Sequence, residues 1–218
     1  NPTNSQNATF QFSSNEADST FQCMMDSGSW SSCSSPKSYS SLSEGSHSFQ
    51  VKATDEADNT GSPAYYNWTI DLSGPAASIS SGPSDPTNSS NATFEFSTDD
   101  TSDIFECNLD SSDWSSCSSP ESYSSLSEGA HSFAVRAIDS VNNTGKTDYH
   151  NWTIDITDPV TTITSGPDSF TNSTSAVFQF GSNESNSTFE CRLDSGSRTV
   201  IFEDSDGNGD DVYSYDLD

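Results

Sequence analysis

An internal repeat limits what this chain can fold into more than any local pattern does. Asn7-Ala8-Thr9-Phe10 recurs as Asn91-Ala92-Thr93-Phe94, and the same offset of 84 residues carries Cys23 to Cys107, Trp30 to Trp114, Cys33 to Cys117, Gly45 to Gly129, His47 to His131 and Trp68 to Trp152. A third copy opens on the same register, with Phe178, Phe189, Cys191 and Asp194 standing for Phe94, Phe105, Cys107 and Asp110, and the match stops near Ser197. A period of this size marks a whole module repeated in tandem. The expected domains are 1–73, which lacks a first strand, 74–157, and 158–218, a partial copy ending in a divergent acidic β-hairpin. Only 29% of the residues are hydrophobic and the formal charge is −27, a balance that usually leaves a chain unfolded. Aromatic residues reach 11%, and the repeat places them at fixed positions, so a core is available.

Inside one repeat the apolar residues alternate, the period of a half-buried strand. Phe94 and Phe96 form one such set, Phe105, Cys107 and Leu109 a second, Phe133, Val135 and Ala137 a third, and His150, Trp152 and Ile154 a fourth. Turn chemistry separates them at Gly82-Pro83, Asp85-Pro86, Ser119-Pro120, Glu128-Gly129 and Asn142-Asn143-Thr144-Gly145. No segment carries a helical stripe. The fold class expected is all-β, in tandem β-sandwiches; about seven strands per repeat is the size of an immunoglobulin-like or fibronectin-III-like module.

Cys23 and Cys33, like Cys107 and Cys117, are close enough in sequence for each pair to clip one hairpin as a disulfide. A loop this short adds about 2–3 kcal/mol in the chain-entropy account. Zinc is the weaker reading, because neither a Cys-x-x-Cys nor a His companion stands at ligand spacing. Disulfides imply an oxidising compartment, hence an extracellular or cell-surface location. Cys191 has no partner in its own shortened repeat.

The pattern Cys-x-x-Asp, Trp-x-x-Cys-Ser-Ser-Pro, Leu-x-Glu-Gly-x-His-x-Phe-x-Val-x-Ala-x-Asp and the closing Asn-Trp-Thr-Ile-Asp resembles the immunoglobulin-like tandem repeats of large extracellular and cell-surface proteins of microbes. The resemblance covers residues 1 to about 197. It implies a secreted, multi-domain structural or adhesive protein and carries no active site with it.

Charge and motif content narrow the function further. Asp and Glu number 33 against 6 Lys and Arg, so the chain cannot supply the basic footprint that nucleic acid or anionic lipid requires. No apolar run is long enough to span a bilayer, and the start at Asn1 lacks the basic and apolar parts of a signal peptide; a secreted protein would be met here in mature or partial form. There is no Gly-x-Ser-x-Gly, no phosphate-cradling glycine loop and no His-Glu-x-x-His. His47 and His131 open the Phe-Val-Ala strands and read as structural. Carboxylate pairs such as Asp99-Asp100 and Asp210-Asp211 sit in polar stretches, where nothing drives their two pKa values apart. The chain is therefore expected to have no catalytic residues and to require no cofactor.

Asn-x-Ser/Thr acceptors occur at Asn7, Asn67, Asn88, Asn91, Asn142, Asn151, Asn172, Asn183 and Asn186. Asn67 and Asn151 alternate with the inward Trp and Ile of the last strand, which aims both at solvent, as covalent glycan needs. In the tail, Asp204, Asp206, Asn208 and Asp210 with Gly207 and Gly209 resemble the start of a calcium loop, although Tyr215 stands where an EF-hand has its bidentate Glu. Thr199–Glu203 and Val212–Leu217 read as two strands, which would make the acidic stretch a hairpin turn.

The boundaries suggest self-association. Asn1 is the counterpart of Asp85, so repeat one has no equivalent of the strand at Ala77–Ser81. The tail strands, or the strand near Thr161, could complete a neighbouring subunit's sandwich and build a fibre head to tail. The expected role is a non-enzymatic extracellular structural protein, acting as a surface stalk or a filament subunit. The competing expectation is a calcium-assisted adhesin that holds a carbohydrate or protein ligand in its loops.

Overall fold

A computed structural model describes residues 2–194, 199–204 and 211–216, the last two segments as backbone strands. The described residues contain strands and no helix, in the all-β class that the alternation anticipates. They divide into two compact units, Asn1–Asp155 and Ile156–Asp218. The first unit holds two sandwiches, called here domain 1 and domain 2; the second unit is domain 3.

Domain 1 comprises β1 (Pro2–Thr3), β2 (Ala8–Phe10), β3 (Thr20–Met25), β4 (Ser31–Cys33), β5 (Lys37–Tyr39), β6 (Gly45–Thr54) and β7 (Ala64–Ile70). Its sheets run β1-β7-β6-β3-β4 and β2-β5. Domain 2 comprises β8 (Ser78–Ser81), β9 (Ala92–Ser97), β10 (Ile104–Leu109), β11 (Ser115–Cys117), β12 (Glu121–Tyr123), β13 (Gly129–Ile138) and β14 (Asp148–Ile154). Its sheets run β11-β10-β13-β14 and β12-β9-β8.

The alternation in sequence becomes the core directly. Along β9 every second residue, Ala92, Phe94 and Phe96, is buried, and along β14 Trp152 and Ile154 are. Two sheets whose inner faces interdigitate form the core of a sandwich. In domain 2 Phe94 stacks flat on Phe133 at 4.0 Å between centroids, across the two layers. The same pair in domain 1, Phe10 and Phe49, stacks at 4.1 Å. Cys23–Cys33 and Cys107–Cys117 are disulfides with Cα atoms 5.8 Å apart, each joining the adjacent antiparallel strands of one hairpin. Cys191 is a free thiol.

Domain 3 comprises β15 (Thr161–Ser165), β16 (Ser175–Ser182), β17 (Ser187–Cys191), β18 (Thr199–Asp204) and β19 (Asp211–Asp216), in sheets β15-β16-β19 and β17-β18. The tail therefore does not form the hairpin expected from sequence. β18 pairs with β17, and β19 pairs with β16 in the opposite sheet. The reason lies in the repeat. Cys191 faces Thr199 as Cys107 faces Ser115, so β18 continues the register of β11, and β19 takes the flank of β16 that β12 takes beside β9. Consecutive strands at this point of the module cross from one sheet to the other. The sequence match ends near Ser197, but the topology continues past it, and both tail strands pair within their own chain.

Candidate functional site

Each of the first two domains places a histidine, an aspartate from the turn after its third strand and an acceptor asparagine around a recess on its larger sheet, with Asp85 as a second aspartate in domain 2. The recess in domain 1, of about 450 Å³, is lined by Asp26, His47, Asn67 and Trp68 among others; that in domain 2, of about 580 Å³, by Asp110, His131, Asn151 and Trp152. Position explains the grouping. Register across β6 and β7 sets His47 opposite Trp68, and the turn after β3 brings Asp26 alongside.

His47 Nδ1 lies 3.0 Å from Asp26 Oδ2 and Nε2 lies 2.8 Å from the Ser43 carbonyl. In domain 2 the distances are 2.7 Å to Asp110 and 2.8 Å to the Ser127 carbonyl. Both partners offer acceptor oxygens, so the geometry favours the doubly protonated ring, which alone can donate to both. The backbone carbonyl, then the aspartate, raise each histidine's pKa above the ordinary value against the opposing effect of burial. The second oxygen of each aspartate accepts a backbone N–H, from Ser48 at 2.8 Å or Ser132 at 2.9 Å. The rings lie over Trp68 and Trp152 at 5.4 and 5.3 Å between centroids, an attractive placement for a cation.

Chemically this constellation ties elements together. A general base needs a free lone pair within reach of a proton. Here Nε2 is spent on a carbonyl, so the dyad pins the turn after β3 and the loop before β6 to one buried ring. The recurring histidines keep the structural part that the sequence suggests for them.

All nine acceptor asparagines, Asn7, Asn67, Asn88, Asn91, Asn142, Asn151, Asn172, Asn183 and Asn186, are exposed. Asn183 also accepts the Val160 N–H at 2.6 Å. Of the calcium candidates, Asp206, Asn208 and Asp210 lie outside the described residues and Asp204 closes β18. Among the described residues no group of three or more potential ligands stands together for a metal ion. The tryptophans of the disulfide hairpins do not offer an open ring: Lys52 Nζ sits 4.6 Å from the Trp30 centroid, and the Arg136 guanidinium sits 4.3 Å from that of Trp114 while pairing with Glu106 at 2.6 Å.

One polar constellation was missed in the sequence, where it looked like ordinary turn chemistry. In the loop after β13, Asp139 Oδ1 accepts from Val141 N at 2.9 Å and Asn143 N at 2.8 Å, while Asn143 Nδ2 donates to Asp139 Oδ2 at 2.8 Å. Burial opposes ionisation of Asp139, but the hydrogen bonds from Asn143, Val141 and Asn142 outweigh it and hold the carboxyl below its ordinary value. Asn143 Nδ2 also donates to the Asp71 carbonyl at 2.8 Å, tying this loop to the end of domain 1. The available signal was Asp-x-x-Asx-Asn-Thr-Gly recurring at Asp55–Gly61 and Asp139–Gly145.

No protein-family model matches the chain, and no curated protein matches it. Solved structures do. The fibronectin(III)-like modules of Clostridium thermocellum CbhA are 14% identical, covering 70% of this chain and 87% of theirs at a TM-score of 0.40. The central fibronectin-III array of RIM-binding protein is 12% identical, covering 98% and 84% at 0.31. The FN1–FN3 domains of chicken CNTN1 are 9% identical, covering 99% and 85% at 0.32. The sandwich architecture of this chain stands on its own strand order and register.

Proposed function

We propose that the protein is a non-enzymatic extracellular structural element, a series of acidic, disulfide-clipped and N-glycosylated sandwich repeats serving as a stalk or fibre subunit at a cell surface. The observation that carries this reading is the commitment of both His–Asp sites, in the same geometry, to holding turns and strands together. Duplicated whole domains suit spacing and repeated contact better than a single reaction centre. Two disulfides fit an oxidising compartment, and exposed acceptors on an acidic surface fit glycan and solubility.

Mass spectrometry of unreduced peptides from the native protein tests the reading. Glycan is expected on Asn67 or Asn151, with Cys23–Cys33 and Cys107–Cys117 oxidised. Bare asparagines at all nine acceptors would remove the glycoprotein, and free thiols at both pairs would remove the extracellular placement. Calcium-dependent binding on a glycan array would replace the structural role with the adhesive one.

A further inference from the structure

Of the nine acceptor asparagines, Asn67 and Asn151 alone stand within strands, β7 and β14. A strand turns every second side chain to the same face. Trp68 and Ile70 are buried, so Tyr65, Asn67 and Thr69 share the outward face of β7. In β14 the buried Trp152 and Ile154 leave Tyr149, Asn151 and Thr153 outward in the same way. Each of these acceptors therefore has a tyrosine two residues ahead of it on its own face, roughly 6.5–7 Å away along the strand.

Two further observations concern the surroundings of that pair. The first is that the rings are open. Tyr65 is 65% exposed and Tyr149 63%, and neither belongs to the core cluster of its domain. Trp30 and Trp114, by contrast, are capped by Lys52 and Arg136. The second is that the ground beside each acceptor is clear. The cross-strand partners of Asn67 and Thr69 are Ser48 and Ser46, and those of Asn151 and Thr153 are Ser132 and Ala130. None of these short side chains reaches far above the sheet, so each recess opens directly beside its acceptor. Ser27 and Asp26 in domain 1, and Ser111 and Asp110 in domain 2, line it with hydroxyl donors and carboxylate acceptors suited to a polyhydroxylated guest.

We propose that Tyr65 and Tyr149 are platforms for the first sugar of an N-linked glycan on Asn67 and Asn151, the sugar lying between the tyrosine ring and the polar recess. This deepens the glycoprotein reading above and rests on it. Attachment joins Asn Nδ2 to C1 of the sugar, releasing one amide proton and the phosphate leaving group of an activated oligosaccharide. Once attached, the sugar meets the ring as an intramolecular partner, at high effective concentration. The C–H face of a pyranose complements the electron-rich face of an aromatic ring, while hydroxyl and acetamido groups turn to the recess. At the seven loop acceptors no strand register sets a ring beside the asparagine, so the two strand sites are those where glycan stiffens the sandwich.

The full chain secreted from a host that N-glycosylates tests this, with occupancy read by mass spectrometry and the glycan trimmed to a single N-acetylglucosamine. Tyr149→Ala should lower the unfolding midpoint of domain 2 by about 4 °C more with that sugar in place than on the Asn151→Gln background, and Tyr149→Phe should keep the difference small. Proton NMR gives a second readout: the ring current should move sugar resonances upfield, and Tyr149→Ala should return them to their ordinary positions. Tyr65→Ala and Asn67→Gln should behave alike in domain 1. Occupied acceptors with equal costs in the two backgrounds, or with unshifted sugar resonances, would overturn the proposal and leave the glycoprotein standing. Bare Asn67 and Asn151 beside occupied loop acceptors would overturn it too, whereas glycan absent from all nine acceptors would remove the glycoprotein reading along with it.

Discussion

Domains 1 and 2 place nearly the same residues on nearly the same strands and still differ in how well they close. Phe133, Val135 and Ala137 of β13 are fully buried, whereas their counterparts Val51 and Ala53 in β6 are half-exposed although Phe49 is not. Ala8, Phe10 and Phe12 are likewise less covered than Ala92, Phe94 and Phe96. The layer opposite β6 has two strands, β2-β5, where domain 2 has three, β12-β9-β8. One edge strand therefore decides the burial of residues on both layers, including β6, which it never pairs with. A sandwich core is shared between sheets, so an open edge on one thins the packing on the other.

The sharpest way to break the comparison is to cut the same ring from both cores. Phe94→Ala should cost about 3–5 kcal/mol, as for a fully enclosed aromatic, while Phe10→Ala should cost about 1–2 kcal/mol less, because its site is already partly wet. Denaturant unfolding followed residue by residue through hydrogen exchange separates the domains; equal losses would show that the edge strand does not govern packing.

A smaller effect probes the seam. Gly145→Ala pushes a methyl group against the Pro75 carbonyl and should destabilise domain 2 by about 1–3 kcal/mol. Gly61→Ala at the matching place should lie near zero or be slightly stabilising, since the added methyl group meets open space. Thermal unfolding of the two variants checks this, and matching losses would contradict the difference in occupancy.

The smallest effect should be alike in the two domains, which makes it a control. Each histidine's folded-state pKa lies above its unfolded value near 6.5. Its stabilisation is therefore fully present below about pH 6.5 and is lost as pH rises through the raised folded value, when the ring gives up one of its two donor bonds. A hydrogen bond to a charged group suggests roughly 1.5 kcal/mol per domain. His47→Gln and His131→Gln should each flatten that part of the stability profile. A stability that falls as the pH is lowered through this window would contradict the bound imidazolium.

Local pattern made much of the molecule legible. Alternation alone sets Phe94 and Phe96 inward and Asn67 and Asn151 outward, because a strand's side chains change face at every residue. The disulfide hairpins were legible for a similar reason: Cys107 and Cys117 are near neighbours in sequence, and a short loop brings them together with few alternatives. The His–Asp site was only half visible. His47 and His131 stood out by recurrence, but the reach of Asp26 and Asp110 to them depends on how a turn folds back over the sheet.

The sequence by itself determined which residues face the core, how many strands a repeat carries and which cysteines join, since each follows from local periodicity or short separation. Only the tertiary structure decided where β18 and β19 go. Their own sequence allows a hairpin, and the vacant flanks of β16 and β17 draw them into opposite sheets. The tertiary structure likewise made Asn143 and Gly145 into the contact for Asp71 and Pro75, because a loop residue acquires such a role only when a distant backbone is laid across it.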